Sequence, residues 1–329
     1  MRLSPRATGI AAAAVTVLIW TAFIVIARAS AQRTLGPFDI ALCRIVGASL
    51  VLLPWGCWLV RQRRRAAAAA GEAAPPSWLG LSPLSGRVTL AVGLFGGLFY
   101  AVLAYSGFFF APAAHASVLM PGSLPLWTAL LAVAVLGDRL RPARLAGLAL
   151  ILLGDLFVGG GSLLHAFSGG EVWKGDLLFM SAAFCWASYS VLARRFALAA
   201  VPATIAVTVF ACVAYLPLYA LFTGAGLVAS RVAAAPLGEV LFQVVFQGVG
   251  SVVISGITFT RMIQHFGPVR STMITALVPG LSALGAVVFL GEPLQWNLLA
   301  GLALVTLGIT FGVRAAAPVG VPPHAGQPA

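Results

Sequence analysis

Arg44, Asp155, His115 and the pair Gln243 and Gln247 are the side chains with chemistry to offer, because each interrupts or borders a long apolar stretch. Arg44 lies about 9 Å inside its stretch at the helical rise per residue, and a charge at that depth requires a partner or a wet cavity. It is a candidate for binding an anion such as a carboxylate; a guanidinium snorkelling back to the headgroups is the other reading. Asp155 is the one acid well inside an apolar span, roughly 20 Å from Pro142 at the same rise. There it serves either as a coupling-proton carrier or as a structural group bonded to a neighbour.

Gln243, Gln247 and Ser251 recur at i, i+4 and i+8, which puts three polar side chains on one stripe of an apolar helix. A stripe of this kind lines a passage or bonds one helix to the next. Thr275, Pro279 and Ser282 form a second stripe by the same spacing. Trp20 and Trp186 stand several residues from the nearest charges and are read as cavity walls or as core packing. Tyr100 and Tyr105 add hydroxyls, and His115 adds a titratable group near one mouth of the spans.

Other chemistry has no basis in these residues. The sequence lacks a nucleophile elbow, a P-loop, an H-E-x-x-H pair and a cluster of acids with histidine, so no enzyme activity and no cofactor are expected. Cys43, Cys57, Cys185 and Cys212 fall in apolar runs without C-x-x-C spacing, which leaves neither a metal site nor a disulfide framework to expect.

The elements that must position these groups follow from composition. With 60% hydrophobic and 9% charged residues in 329, the chain has too little polar surface for soluble domains of its size. About 20 apolar residues cross the hydrocarbon layer as a helix. That rule gives ten spans, at 8–26, 38–60, 88–110, 114–136, 142–160, 177–193, 202–222, 240–260, 267–290 and 295–313. The runs lack the polar alternation of a β-barrel, so the expected fold class is an all-α integral membrane protein. Pro121, Pro125 and Pro279 each remove a backbone donor in mid-span and predict helix breaks beside a central pathway.

A net charge of +12 would indicate nucleic acid in a soluble chain. Here position matters more than the sum, and no nucleic-acid partner is expected. With the N-terminus cytoplasmic, fifteen arginines fall inside and four cations (Arg28, Arg33, Lys174 and Arg231) fall outside. Both termini are therefore expected in the cytoplasm and the chain in a bacterial-type inner membrane. Helix 1 is expected to stay as a span, since no small-residue cleavage site follows it.

The chain also contains itself twice. An offset of 154 lays Gly96 on Gly250, Ser117 on Ser271, Pro125 on Pro279, Gly137-Asp138 on Gly291-Glu292, Gly147 on Gly301 and Gly154 on Gly308. Trp20 and Arg28 match Trp186 and Arg194 at an offset of 166. Five spans per copy is an odd number, so the copies are predicted to thread the membrane in opposite senses. The expected organisation is a first repeat at 1–160 with a basic cytoplasmic linker at 61–87, an outer connecting loop at 161–174, a second repeat at 175–314 and a flexible tail at 315–329.

Three groups of residues carry a resemblance. They are the segments LIWTAFIVIARA and FCWASYSVLARR, the PFDIALCR opening of helix 2 with Pro37 and Arg44, and the P-x12-acid signatures ending in LGDRL and LGEPL. In these the chain resembles the EamA-type members of the drug/metabolite transporter superfamily. The resemblance implies ten helices in two inverted repeats, with a central cavity lined by helices 1 to 4 and 6 to 9 and supported by helices 5 and 10. It implies that Asp155 is misplaced for transport. Asp138 stands where the family pattern usually has glutamate; near the helix 5 N-terminus, Arg139 or Arg141 is expected to stabilise it, and Asp138 and Glu292 read as boundary residues.

The expected function is alternating-access transport, most simply export, of a small polar metabolite that is amino-acid-like or carries a carboxylate. Partners are that small molecule and the lipid bilayer; the oligomeric state is not legible. A proton-coupled drug or cation exporter is the alternative within transport, and a membrane scaffold or lipid-binding sensor is the alternative of another class.

Overall fold

The computed structural model describes residues 5–138, 140, 142–166, 168–275 and 277–314. Ten apolar helices account for nearly all of them: α1 Pro5–Ala31, α2 Pro37–Ala69, α3 Gly86–Phe110, α4 Ala113–Leu136, α5 Pro142–Ala166, α6 Val172–Arg195, α7 Ala200–Gly224, α8 Leu237–Met262, α9 Leu277–Leu290 and α10 Trp296–Arg314. The first eight have the length and hydropathy of membrane spans, and the last two are shorter apolar helices. Among the described residues the β structure is one bridge, Trp78 with Ser82. Large apolar side chains such as Leu152, Leu156, Leu284 and Phe289 face outward, as lipid-exposed helices require.

Several boundaries have plain causes. Pro37 opens α2, where a missing N–H costs nothing. Gly137 ends α4 at φ 70° and Gly291 ends α9 at φ 66°. Each is followed by the same capping bonds: Gly137 N–H to Val133 O with Asp138 N–H to Ala132 O, and Gly291 N–H to Val287 O with Glu292 N–H to Ala286 O. Only glycine adopts that left-handed cap without strain, so the duplicated Gly-acid pairs are duplicated helix stops.

Two boundaries depart from the sequence reading. α2 runs nine residues beyond the predicted 60, because RQRRRAAAA consists of good helix formers that continue the helix into the polar layer. After it, Arg63 bonds Pro83 O and Arg64 bonds Ser77, which ties the rest of the linker back to the helix. The second departure lies between α8 and α9, where helical geometry continues from Ser255 to Thr275. Thr16 meets Thr258 and Gly9 meets Phe266, whereas Val25, further along α1, meets Gly285. The chain therefore reverses direction between Phe266 and Gly285.

The copies also pack as an inverted pair. A Cβ on Gly308 would lie 2.5 Å from Gly147 O, one on Gly154 would lie 2.7 Å from Gly301 O, and one on Gly301 would lie 2.8 Å from Gly154 O. The repeat relation turns the 147–308 contact into the 301–154 contact. Thus α5 and α10 touch backbone to backbone through four glycines that exchange places between copies.

Candidate functional site

Trp20 of α1 and Trp186 of α6 meet edge to face with ring centroids 6.2 Å apart. They are equivalent residues of the two copies, so the copies meet at this contact. Around them lies a cavity of about 60 Å³. Its walls draw on α1, α2, α3, α4, α6, α8 and α9, through Trp20, Phe23, Arg44, Tyr100, Met120, Pro121, Trp186, Ser251, Ser255 and Val278 among others. α5, α7 and α10 contribute no lining residue.

Arg44 is 7% exposed and has no carboxylate partner among the described residues. Its guanidinium carbon lies 5.9 Å from the Phe23 ring centre and 5.7 Å from that of Tyr100, which offsets part of the desolvation cost through the ring faces. One nitrogen reaches Tyr105 Oη at 3.4 Å, and that hydroxyl donates to Gln247 Oε1 at 2.9 Å. Among the described residues, no acceptor is found for the remaining N–H groups of the guanidinium. Trp186 Nε1 and Ser251 Oγ are likewise buried without a hydrogen-bond partner.

The other sequence candidates divide cleanly. Trp20, Arg44, Tyr100, Trp186 and Pro121 share the cavity, and Tyr105 and Gln247 hold Arg44 from behind. Gln243 does not reach the cavity; its amide donates to Ser30 of α1 at 2.6 Å, so this part of the stripe bonds helices together. His115 is also elsewhere, with Nδ1 2.8 Å from Asp176, which in turn takes the hydroxyl of Ser162. Neither Thr275, half-buried, nor Pro279, buried, is among the lining residues, although Val278 next to Pro279 is. Pro125 stands in the first turn of the helical segment that follows Ser123. Asp155 lies in α5, outside the cavity, with both oxygens buried and unbonded.

Sequence reading missed three features. The first is a set of π-helical stretches at Leu94–Phe99, Val118–Gly122 and Val244–Ile254. Each contains or adjoins a lining residue, namely Tyr100, Met120 with Pro121, and Ser251. Extra residues per turn swing side chains out of ordinary helical register, and the glycines at 96, 97, 248 and 250 were the available signal.

The second is the pairing of the helix-end charges. Arg28 Nε lies 3.3 Å from Glu292, whose two oxygens also accept the Ala113 and Ala114 N–H groups at the start of α4. At the other face Arg194 grips Asp138 with two bonds of 2.7 and 3.2 Å. The expected partners of Asp138, Arg139 and Arg141, lie outside the described residues.

The third is Asp39, buried near the start of α2. It takes N–H groups from Gly36 and Arg231 and the Tyr219 hydroxyl, and so joins α2 to α7 and the following loop.

A model of the EamA-like transporter family matches residues 7–160 and 173–314. The chain belongs to this family. A Bacillus subtilis protein called uncharacterized transporter YyaM is 25% identical over 219 residues, spanning 66% of this chain and 69% of that protein. A Salmonella typhimurium protein described as a probable amino-acid metabolite efflux pump is 27% identical over 237 residues, 69% of this chain and 75% of its own length. An Archaeoglobus fulgidus transporter is 29% identical over 187 residues, with 55% and 56% covered. A solved crystal structure superposes with a TM-score of 0.54 at 25% identity, over 92% of this chain and 95% of that one. The EamA-like chain is thus a multi-pass membrane protein of a transporter family, and family and relatives indicate a transporter rather than an enzyme.

Proposed function

We propose that this protein exports small carboxylate-bearing metabolites across a bacterial inner membrane by alternating access, with both termini and the arginine-rich face in the cytoplasm. The observation that carries this reading is Arg44, a buried cation without a carboxylate partner, set in a cavity between two inverted copies. An isolated charge at that depth is costly, and a substrate anion supplies what the protein withholds. The likeness to an amino-acid metabolite efflux pump supports the direction and the cargo class. Of the chain's acids, none lines the cavity, which disfavours a proton-coupled cation exporter.

Counterflow in proteoliposomes, with and without a pH gradient, is the test. Labelled carboxylates exchange with preloaded ones through the native protein, and Arg44→Gln abolishes the exchange. Unaltered exchange of every transported acid by Arg44→Gln defeats the anion-binding role.

A further inference from the structure

Resting on that reading, we propose that the preferred cargo is a monoanionic organic acid with an apolar or aromatic body and no charged amino group, such as a 2-hydroxy or 2-oxo acid rather than the corresponding amino acid. The argument is an inventory of charge. The chain has eight acids. Asp39, Asp138, Asp176 and Glu292 are bonded as described, Glu239 accepts Leu35 N–H, Glu171 pairs with Lys174, Glu72 lies in the linker, and Asp155 lies in α5. None lines the cavity, so an ammonium group carried in beside the carboxylate finds no counter-charge there.

What the cavity does offer is donors. The spare guanidinium N–H groups of Arg44 can only donate, and the wall residues Trp186 and Ser251 carry a buried indole N–H and a buried hydroxyl that bond nothing among the described residues. A carboxylate and one neighbouring hydroxyl or carbonyl oxygen match this set. The rest of the wall is Trp20, Phe23, Ile24, Met120, Leu124 and Val278, a surface for an apolar body. Stripping water from an unpaired ammonium is far costlier than burying a hydroxyl at the same position.

The test compares phenyllactate, L-phenylalanine and phenethylamine in counterflow with protein-containing and protein-free liposomes. These probes share a ring and differ in charge. The inference expects phenyllactate to exchange faster than phenylalanine by roughly tenfold, the factor that about 1.4 kcal/mol gives, and phenethylamine not to exchange. If phenylalanine matches or exceeds phenyllactate, the inference fails while the carboxylate reading stands. If neither acid exchanges above protein-free liposomes, both fail. Exchange of phenethylamine alone overturns both in favour of a cation carrier.

A separate observation carries a second inference. The pairs Arg28–Glu292 and Arg194–Asp138 change into one another under the repeat relation, since Arg28 corresponds to Arg194 and Asp138 to Glu292. Each joins one copy to the other, and they lie at opposite faces. We infer that these are two latches, each of which separates when the cavity opens to its own face. The latches differ in depth: Glu292 is 13% exposed and also holds two N–H groups of α4, while the Arg194 side chain is 62% exposed. The latch at the Glu292 face is therefore the firmer one.

Labelling of Ala183→Cys, a lining position, by an impermeant maleimide tests this in protein whose four native cysteines are replaced. Asp138→Asn raises labelling from the basic face and Glu292→Gln raises it from the opposite face, each by about fivefold, within the usual range of coupling between sites. Exchanging the charges of the pair whose acid holds no further group, Arg194→Asp with Asp138→Arg, returns labelling toward the native level. The inference is overturned if both single variants, monodisperse by gel filtration, shift labelling toward the same face or leave it unchanged.

Discussion

Gly147 of α5 and Gly308 of α10 touch through bare backbone, and a methyl group on Gly308 would sit 2.5 Å from Gly147 O. The Gly154–Gly301 contact repeats this about 10 Å along the pair, at 1.5 Å per residue.

Gly308→Ala and Gly154→Ala are each expected to lower stability by about 1–3 kcal/mol, the usual cost of forcing atoms into a packed interface. Gly280→Ala, where an added methyl meets nothing within 4 Å, is the matched control; it is expected to be neutral or stabilising by up to about 1 kcal/mol. Thermal unfolding followed by fluorescence-detected gel filtration measures all three.

Tyr105→Phe removes the hydroxyl that links Arg44 to Gln247. Leaving Gln247 Oε1 buried and unpaired costs about 1–3 kcal/mol, and Arg44 loses its support. A rise in KM for carboxylate exchange of about tenfold is expected, at the 1.4 kcal/mol per decade that relates energy to affinity. Flux measured over a range of substrate concentrations separates this from a loss of folded protein.

Trp186→Phe keeps an aromatic wall but deletes the indole N–H, which has no partner among the described residues. The free carrier loses no hydrogen bond, and the thermal midpoint is expected to fall only by the packing that the smaller ring gives up against Trp20, Tyr100 and Tyr189. Exchange of carboxylates is expected to weaken by about 0.5–1.5 kcal/mol, the net worth of one hydrogen bond. An unchanged KM would show that the indole N–H does not meet the cargo.

Asp39→Asn tests the buried acid that no transport role requires. It weakens charge-assisted bonds to Gly36, Arg231 and Tyr219 together, with an expected loss of about 2–4 kcal/mol. The melting temperature falls while the KM of the surviving protein stays constant, a combination read from unfolding and counterflow on one preparation.

Much of this architecture was legible because duplication leaves marks at fixed offsets. The Gly-acid pairs announced two equivalent helix stops, and the paired tryptophans announced a contact between the copies. What joins to what was less legible. Arg28 finds Glu292 and Arg194 finds Asp138 across copies, at separations of 264 and 56 residues, and no local pattern links such residues. Of the two readings of the glutamine stripe, spacing could not choose for a geometric reason: i and i+4 assumes 3.6 residues per turn, but Val244–Ile254 is wound as a π-helix. Gln243 and Gln247 consequently meet Ser30 and Tyr105, and only Ser251 of that stripe lines the cavity.

The four-glycine contact of α5 with α10 has a mechanical corollary. A joint in which carbonyl rests on α-carbon has no long side chains to stretch as it parts, so a gap of about 0.5–1 Å already costs roughly a quarter to a half of its dispersion attraction. Such a spine resists separation of the twins along α5 and α10, so alternating access of the kind proposed requires the larger travel elsewhere. Engineering for durability and engineering for turnover therefore address different parts of the same barrel of helices.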